Sequence, residues 1–319
     1  MMQKTKNGIN ELRISKRQLF SLAVVLLLFY ALLPQIGEFR LSFDAVKQAQ
    51  PDWVIIALVF AGLTSFISAG SYKLLAKKRL IYRKILAVQF ASLFASKLLP
   101  AGLGALGLNF EYLRRQHHSP EAAGAVVATN NILGLVGHIL LLGALILTTN
   151  LSLTQIVWKP HLTHGLYWII LVIGAIGILV VVWSRKLRSK IYRALVGMLR
   201  NIVGYRSRPL RLLAALVFSM CLTAAYTACL WACGYALGAN FSFGQSLIVL
   251  TVGVVGSTTI PTPGGLGGAE AGLFAGLLAI KIPSAEALAI VLLYRFITYW
   301  MAFAYGALAW RYIRRHNYI

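Results

Sequence analysis

Apolar positions run in long blocks along this chain. Residues 18–36, 53–75, 122–149, 166–183, 212–238 and 285–310 are each almost free of charge. At 1.5 Å of rise per helical residue, each is long enough to cross a hydrocarbon core of about 30 Å. They predict six full transmembrane helices. Two further apolar regions, 85–113 and 244–280, are each cut near the middle by proline and glycine. The pieces on either side of the cuts reach only about 16–23 Å as helices, so each region is expected to form a re-entrant hairpin that enters and leaves on one side. The second cut, Ile260-Pro-Thr-Pro-Gly-Gly-Leu-Gly-Gly-Ala-Glu270, carries a carboxylate. Backbone that cannot stay helical at membrane depth leaves N–H and C=O groups unpaired, so it is tolerated only against protein or a water-filled cavity. The cut is therefore the first place to look for a binding site or a path.

Charge orients the spans. Lys73, Lys77, Lys78, Arg79, Arg83 and Lys84 precede the first broken region, and Arg114 and Arg115 follow it. By the positive-inside rule both of its ends are cytoplasmic. The N-terminal stretch, the segment 185–211 and the tail 311–315 hold most of the other basic residues, which puts both termini in the cytoplasm. Both ends of the second hairpin then lie outside. Within 184–211, Leu187, Ile191, Leu195, Met198 and Ile202 recur at helical spacing among arginines and lysines, the pattern of an interfacial amphipathic helix.

A single offset of 163 residues lays Pro100-Ala-Gly102-Leu-Gly104 on Pro263-Gly-Gly265-Leu-Gly267, and Pro120 on Pro283. The same offset superposes the flanking spans. The chain thus divides into a first membrane repeat, 1–150, and a second, 151–319. Each reads span, span, re-entrant hairpin, span, and the two enter the membrane from opposite sides. The expected fold is an all-α polytopic membrane protein of two inverted-topology repeats, with a site where the hairpins meet.

Composition narrows the chemistry. With 59% hydrophobic residues and a mean hydropathy of +0.74, the chain exceeds what a soluble core can hide. The net charge of +23 lies in short loops, so its partner is an anionic leaflet and not nucleic acid. Cys221, Cys229 and Cys233 share one apolar run and form no disulfide or metal pattern. Gly102-Leu-Gly104-Ala-Leu-Gly107 matches a dinucleotide-binding fingerprint, but no strand precedes it. No nucleotide-binding Lys-Ser/Thr motif, metal cluster or catalytic triad stands out, so no cofactor and no enzymatic activity are expected.

The ionisable residues at membrane depth are few. Glu270 and Arg295 are costly to bury singly, which points to a mutual ion pair or a headgroup contact. Lys97 precedes the first cut and meets a lipid phosphate or snorkels to the interface. Asn130, Asn131 and His138 share one span, where interhelical hydrogen bonding is the simpler role. Tyr294, Tyr299 and Trp300 read as packing or interfacial aromatics.

Pro261-Thr-Pro263-Gly264-Gly265-Leu-Gly267, with Glu270, Arg295 and Tyr299-Trp300, resembles the lysylphosphatidylglycerol synthase transmembrane-region family, the flippase-like proteins. Most of the chain is covered. The resemblance implies an inner-membrane protein that moves a phospholipid or lipid-linked molecule between leaflets without its own nucleotide motor, the cargo having an anionic or aminoacylated headgroup. The soluble aminoacyl-transfer domain of bifunctional members is not in this sequence, so lipid aminoacylation is not expected. The first cut lacks the Arg and Glu common in the family pattern. The expected substrate path is Lys97, Pro100, Gly102, Gly104, Asn130, Pro261, Pro263, Gly264, Gly265, Gly267, Glu270 and Arg295. A non-transporting scaffold of lipid metabolism and an ion-coupled solute transporter using Glu270 are the alternatives.

Overall fold

The computed structural model describes residues 47, 49–99, 102–148, 184, 189, 209–259 and 262–319. Among these are eight helices and no β-strand. They are α1 (Pro51–Leu75), α2 (Tyr82–Leu98), α3 (Leu103–Arg115), α4 (Pro120–Thr148), α5 (Pro209–Ala236), α6 (Phe243–Thr259), α7 (Gly268–Ala279) and α8 (Ser284–Arg315). α1, α4, α5 and α8 are long and apolar enough to cross a membrane. The expected spans 18–36 and 166–183, and nearly all of the amphipathic segment 184–211, lie outside the described residues.

Local signals start and stop these helices. Pro51, Pro120 and Pro209 occupy the first position of α1, α4 and α5, where a missing N–H costs nothing and φ is already helical. At the start of α6, Ser242 and Gln245 form a reciprocal capping box: the Gln245 N–H donates to the Ser242 hydroxyl at 3.2 Å, and the Ser242 N–H donates to the Gln245 side-chain oxygen at 2.8 Å. The two short helices α3 and α7 end alike. His117 and Lys281 adopt left-handed φ of 61° and 68°, and the next amides return to Leu113 and Leu277 at 3.2 and 3.1 Å. This turn satisfies orphan carbonyls at a helix end.

Several boundaries differ from the sequence reading. α5 starts at Pro209, inside the segment assigned to an amphipathic helix, because proline at the first position nucleates it three residues before the expected span. α8 continues to Arg315, so the basic tail 311–315 is helical, and it contains a π-helical turn at Phe296–Met301. Each broken region is two helices, α2 with α3 and α6 with α7.

α1 and α5 pack along each other in opposite directions. The Gln50 amide at the start of α1 donates to the Ala236 carbonyl at the end of α5, at 2.7 Å. The buried core falls into two clusters at opposite ends of this pair. One joins Ala57 and Ala61 of α1 to Cys229, Leu230 and Cys233 of α5 and to α6, α7 and the first half of α8. The other joins Ala69, Tyr72 and Leu75 of α1 to Ala215 of α5, to α2, α3 and the first half of α4, and to Ile313. The α2–α3 pair and the α6–α7 pair therefore occupy opposite ends of the bundle. Glycine sets how closely each pair packs: a methyl on Gly104 would overlap the Ala95 carbonyl, and one on Gly272 would lie 2.5 Å from the Val252 carbonyl oxygen. Close backbone approach at small residues is how helices associate where lipid supplies no hydrophobic drive.

Candidate functional site

The break between α6 and α7 is built as turns that only glycine suits. The Gly265 amide donates to the Thr262 carbonyl at 3.0 Å, closing a turn with Pro263 second and Gly264 third, at φ 65°. Proline then glycine with positive φ is the type II pattern. Gly265 and Gly267 follow at φ 72° and 78°, so the chain enters α7 through three glycines with positive φ. The first break has one described counterpart, Gly102 at φ 70°, which starts α3. The 163-residue overlay holds at Gly102 and Gly265, whereas Gly104 is already helical and Gly267 is not.

This geometry sets Glu270 in the first turn of α7, facing the middle of α8. The Arg295 Nε donates to Glu270 Oε1 at 2.5 Å, and its guanidinium also points to the Gly264 carbonyl at 3.4 Å. Arg295 is buried. The other carboxylate oxygen, Glu270 Oε2, is buried with no hydrogen-bond partner.

Immediately after Arg295 the helix widens into the π-helical turn, a distortion frequent at functional sites. Tyr299 lies in it with two cations on its ring: Arg295 Cζ at 4.7 Å from the centroid and Lys97 Nζ at 5.0 Å. Lys97 belongs to the end of α2. A Cβ on Gly264 would stand 2.5 Å from the Tyr299 ring and 3.2 Å from Lys97 Cδ. The tips of the two helix pairs thus meet at one place. Beside them opens a cavity of about 410 Å³ lined by Lys97, Gly264, Arg295, Thr298, Ser257 and His138, among others. Its size is that of a small-ligand site.

Of the residues expected on a path, Lys97, Gly264, Glu270 and Arg295 are brought together here, and Pro263, Gly265 and Gly267 shape the break beside them. Pro100 and Pro261 lie outside the described residues. Gly104 packs against the Ala95 carbonyl. Gly102 and Asn130 line a second cavity instead, where Asn130 accepts a hydrogen bond from Ser71 of α1 at 2.7 Å. His138 reaches Thr251 of α6 at 3.0 Å. Asn131 was expected to bond between helices, but its amide donates to its own helix at Val127, at 2.8 Å; the carbonyl one turn back is simply nearer. By sequence alone Tyr299 is a packing or interfacial aromatic. Its sequence signal was its place four residues after Arg295, which in an α-helix already puts the two on one face.

The family model described as the lysylphosphatidylglycerol synthase TM region matches residues 18–306. The chain belongs to this family. No curated protein matches the sequence. Membership of the lysylphosphatidylglycerol synthase TM-region family, together with four long apolar helices, makes this a multi-pass membrane protein of the flippase-like kind. The match is to the transmembrane region and includes no synthase domain.

Proposed function

We propose that the protein moves a phospholipid or lipid-linked molecule between membrane leaflets without a nucleotide motor of its own. In this reading α2–α3 and α6–α7 are re-entrant hairpins of two inverted repeats, and the headgroup passes where their tips meet while the acyl chains stay in the bilayer. The observation that carries the proposal is the convergence of Lys97 with Gly264, Glu270 and Arg295 around Tyr299, beside a 410 Å³ cavity. Two cations supply charge for a phosphate, and Glu270 holds Arg295 in place. The site would serve a bacterial inner-membrane protein whose basic loops face the anionic cytoplasmic leaflet.

The test is leaflet exchange of labelled phospholipid in proteoliposomes. Wild-type protein should accelerate exchange, and Lys97→Met should slow it by about tenfold or more, the effect of losing one charge-assisted contact. A scaffold would leave exchange at the protein-free rate. Ion-coupled uptake of a solute is the second reading, favoured by the buried carboxylate oxygen Glu270 Oε2, which has no hydrogen-bond partner. That reading requires exchange or uptake to follow an imposed proton gradient and to lose this dependence in Glu270→Gln.

A further inference from the structure

A second cavity, of about 340 Å³, lies between α1, α2, α3 and α4. Its polar wall is hydroxyl and amide throughout, including Ser65, Ser68, Gln89, Ser92, Asn109 and Asn130, and none of its lining residues is charged. The two cavities are neighbours. Leu222 and Tyr226 of α5 line both, and Ser96 on this wall adjoins Lys97 on the other.

Much of the wall is tied into a relay that fixes the helices. Ser68 donates to Gln89 at 2.9 Å, Gln89 to Asn109 at 2.6 Å, and Asn109 to Ser92 at 3.1 Å. The relay accounts for those groups as interhelical glue. It does not account for Ser65. Ser65 lines the cavity, is 3% exposed, and has a buried hydroxyl with no hydrogen-bond partner. A buried hydroxyl left unpaired is costly, and serines in apolar helices usually satisfy themselves on a nearby backbone carbonyl. Ser65 is instead left unpaired at the cavity wall.

The geometry points to this cavity as a subsite for an uncharged polyol carried on the phosphate held at Lys97 and Arg295, a cyclitol or hexose ring in a phosphodiester headgroup. The assignment rests on the function proposed above and names its cargo class. A volume of about 340 Å³ takes on the order of ten water-sized groups, which suits one such ring. Hydroxyls and amides act as donors and acceptors toward ring hydroxyls. With no carboxylate in its lining, the cavity offers no counter-charge to an ammonium group.

Equilibrium binding to the full-length protein in nanodiscs separates the possibilities. The probes are short-chain phosphatidylinositol, phosphatidylmethanol with the same chains, whose phosphodiester has equal charge and no polyol, and free inositol 1-phosphate. Phosphatidylinositol should bind about fivefold or more tighter than phosphatidylmethanol, the return on roughly one added hydrogen bond. Ser65→Leu should abolish that preference, Ser65→Thr should keep it, and Lys97→Met should weaken both lipids alike. Equal affinity of the wild type for the two lipids overturns the subsite without any variant having to fold. So does a preference that survives Ser65→Leu. If Lys97→Met changes neither lipid, the phosphate position fails while the polyol preference stands. Binding of free inositol 1-phosphate as tight as the lipid's would keep the subsite and make the cargo a water-soluble ester, which would sink the lipid reading.

Discussion

Glu270 and Arg295 stand 25 positions apart in the chain, and the cost of burying either alone explains why they meet. A buried ion pair gains little over a well-packed apolar pair, but removing one partner leaves an uncompensated charge, at about 3–5 kcal/mol. Arg295→Gln should therefore destabilise the protein strongly, since both carboxylate oxygens of Glu270 would then lack a partner. Glu270→Gln should cost less, because the amide oxygen still accepts from Arg295 Nε. In thermal unfolding of detergent-extracted protein, the double variant should recover part of the Arg295→Gln loss, with a coupling of about 1–3 kcal/mol. Strictly additive losses would show that the pair does not hold the break to α8. Exchange should stay low in the double variant, since the guanidinium offered to a phosphate is gone.

At the scale of elements, the short link between α3 and α4 is a sealed turn that carries a titratable group. His118 is buried. The Lys78 amide donates to its Nε2 at 3.3 Å, and its Nδ1 faces the Leu113 carbonyl at 3.1 Å. Those partners require the neutral ring with its proton on Nδ1. Burial is the main cause that lowers its pKa from 6.5, and Lys77 and Lys78 nearby push the same way, against the hydrogen bonds from backbone. The Arg114 guanidinium at 3.4 Å from the His118 carbonyl adds a further positive neighbour. With a folded pKa below the unfolded one, the group's contribution is complete above about pH 6.5 and is lost as pH falls toward the folded value, because the unfolded chain takes the proton first. The melting temperature should thus drop between about pH 7.5 and about pH 5.5, and His118→Gln should shrink that drop. An unchanged drop in the variant would assign the titration to other groups.

For the whole molecule, opposite placement of the two helix pairs is the property that matters. α2–α3 packs at the end of the bundle holding the close of α1 and the start of α5, and α6–α7 packs at the other. If both pairs are re-entrant, the turns after α3 and α7 must face opposite compartments. On a background with Cys221, Cys229 and Cys233 replaced, a cysteine at Gln116 should react with an impermeant maleimide only from the cytoplasm and one at Lys281 only from outside. Labelling of both from one side would end the inverted-repeat model and leave the tip-to-tip site without two-sided access.

The helical class and the order of the described helices were legible in the sequence because they follow from local rules. Runs of apolar residues must be helical in lipid, and proline and glycine must break them. The positions of α1, α4 and α5 came within a few residues of expectation, and the 163-residue overlay matched the two breaks at Gly102 and Gly265. Even the meeting of Glu270 with Arg295 was foreseeable, since isolated charge at that depth is costly. The tertiary structure alone decided what the tips touch. Whether Lys97 snorkelled or turned inward depended on α2 reaching Tyr299 across the bundle, and Asn130 went to a different cavity because α4 packs against α1 there. Ser65, Gln89 and Asn109 gave no sequence signal. A serine or amide in an apolar helix reads as interhelical glue until packing shows which hydroxyl was left unpaired, and that is a property of neighbours distant in the chain, not of local pattern.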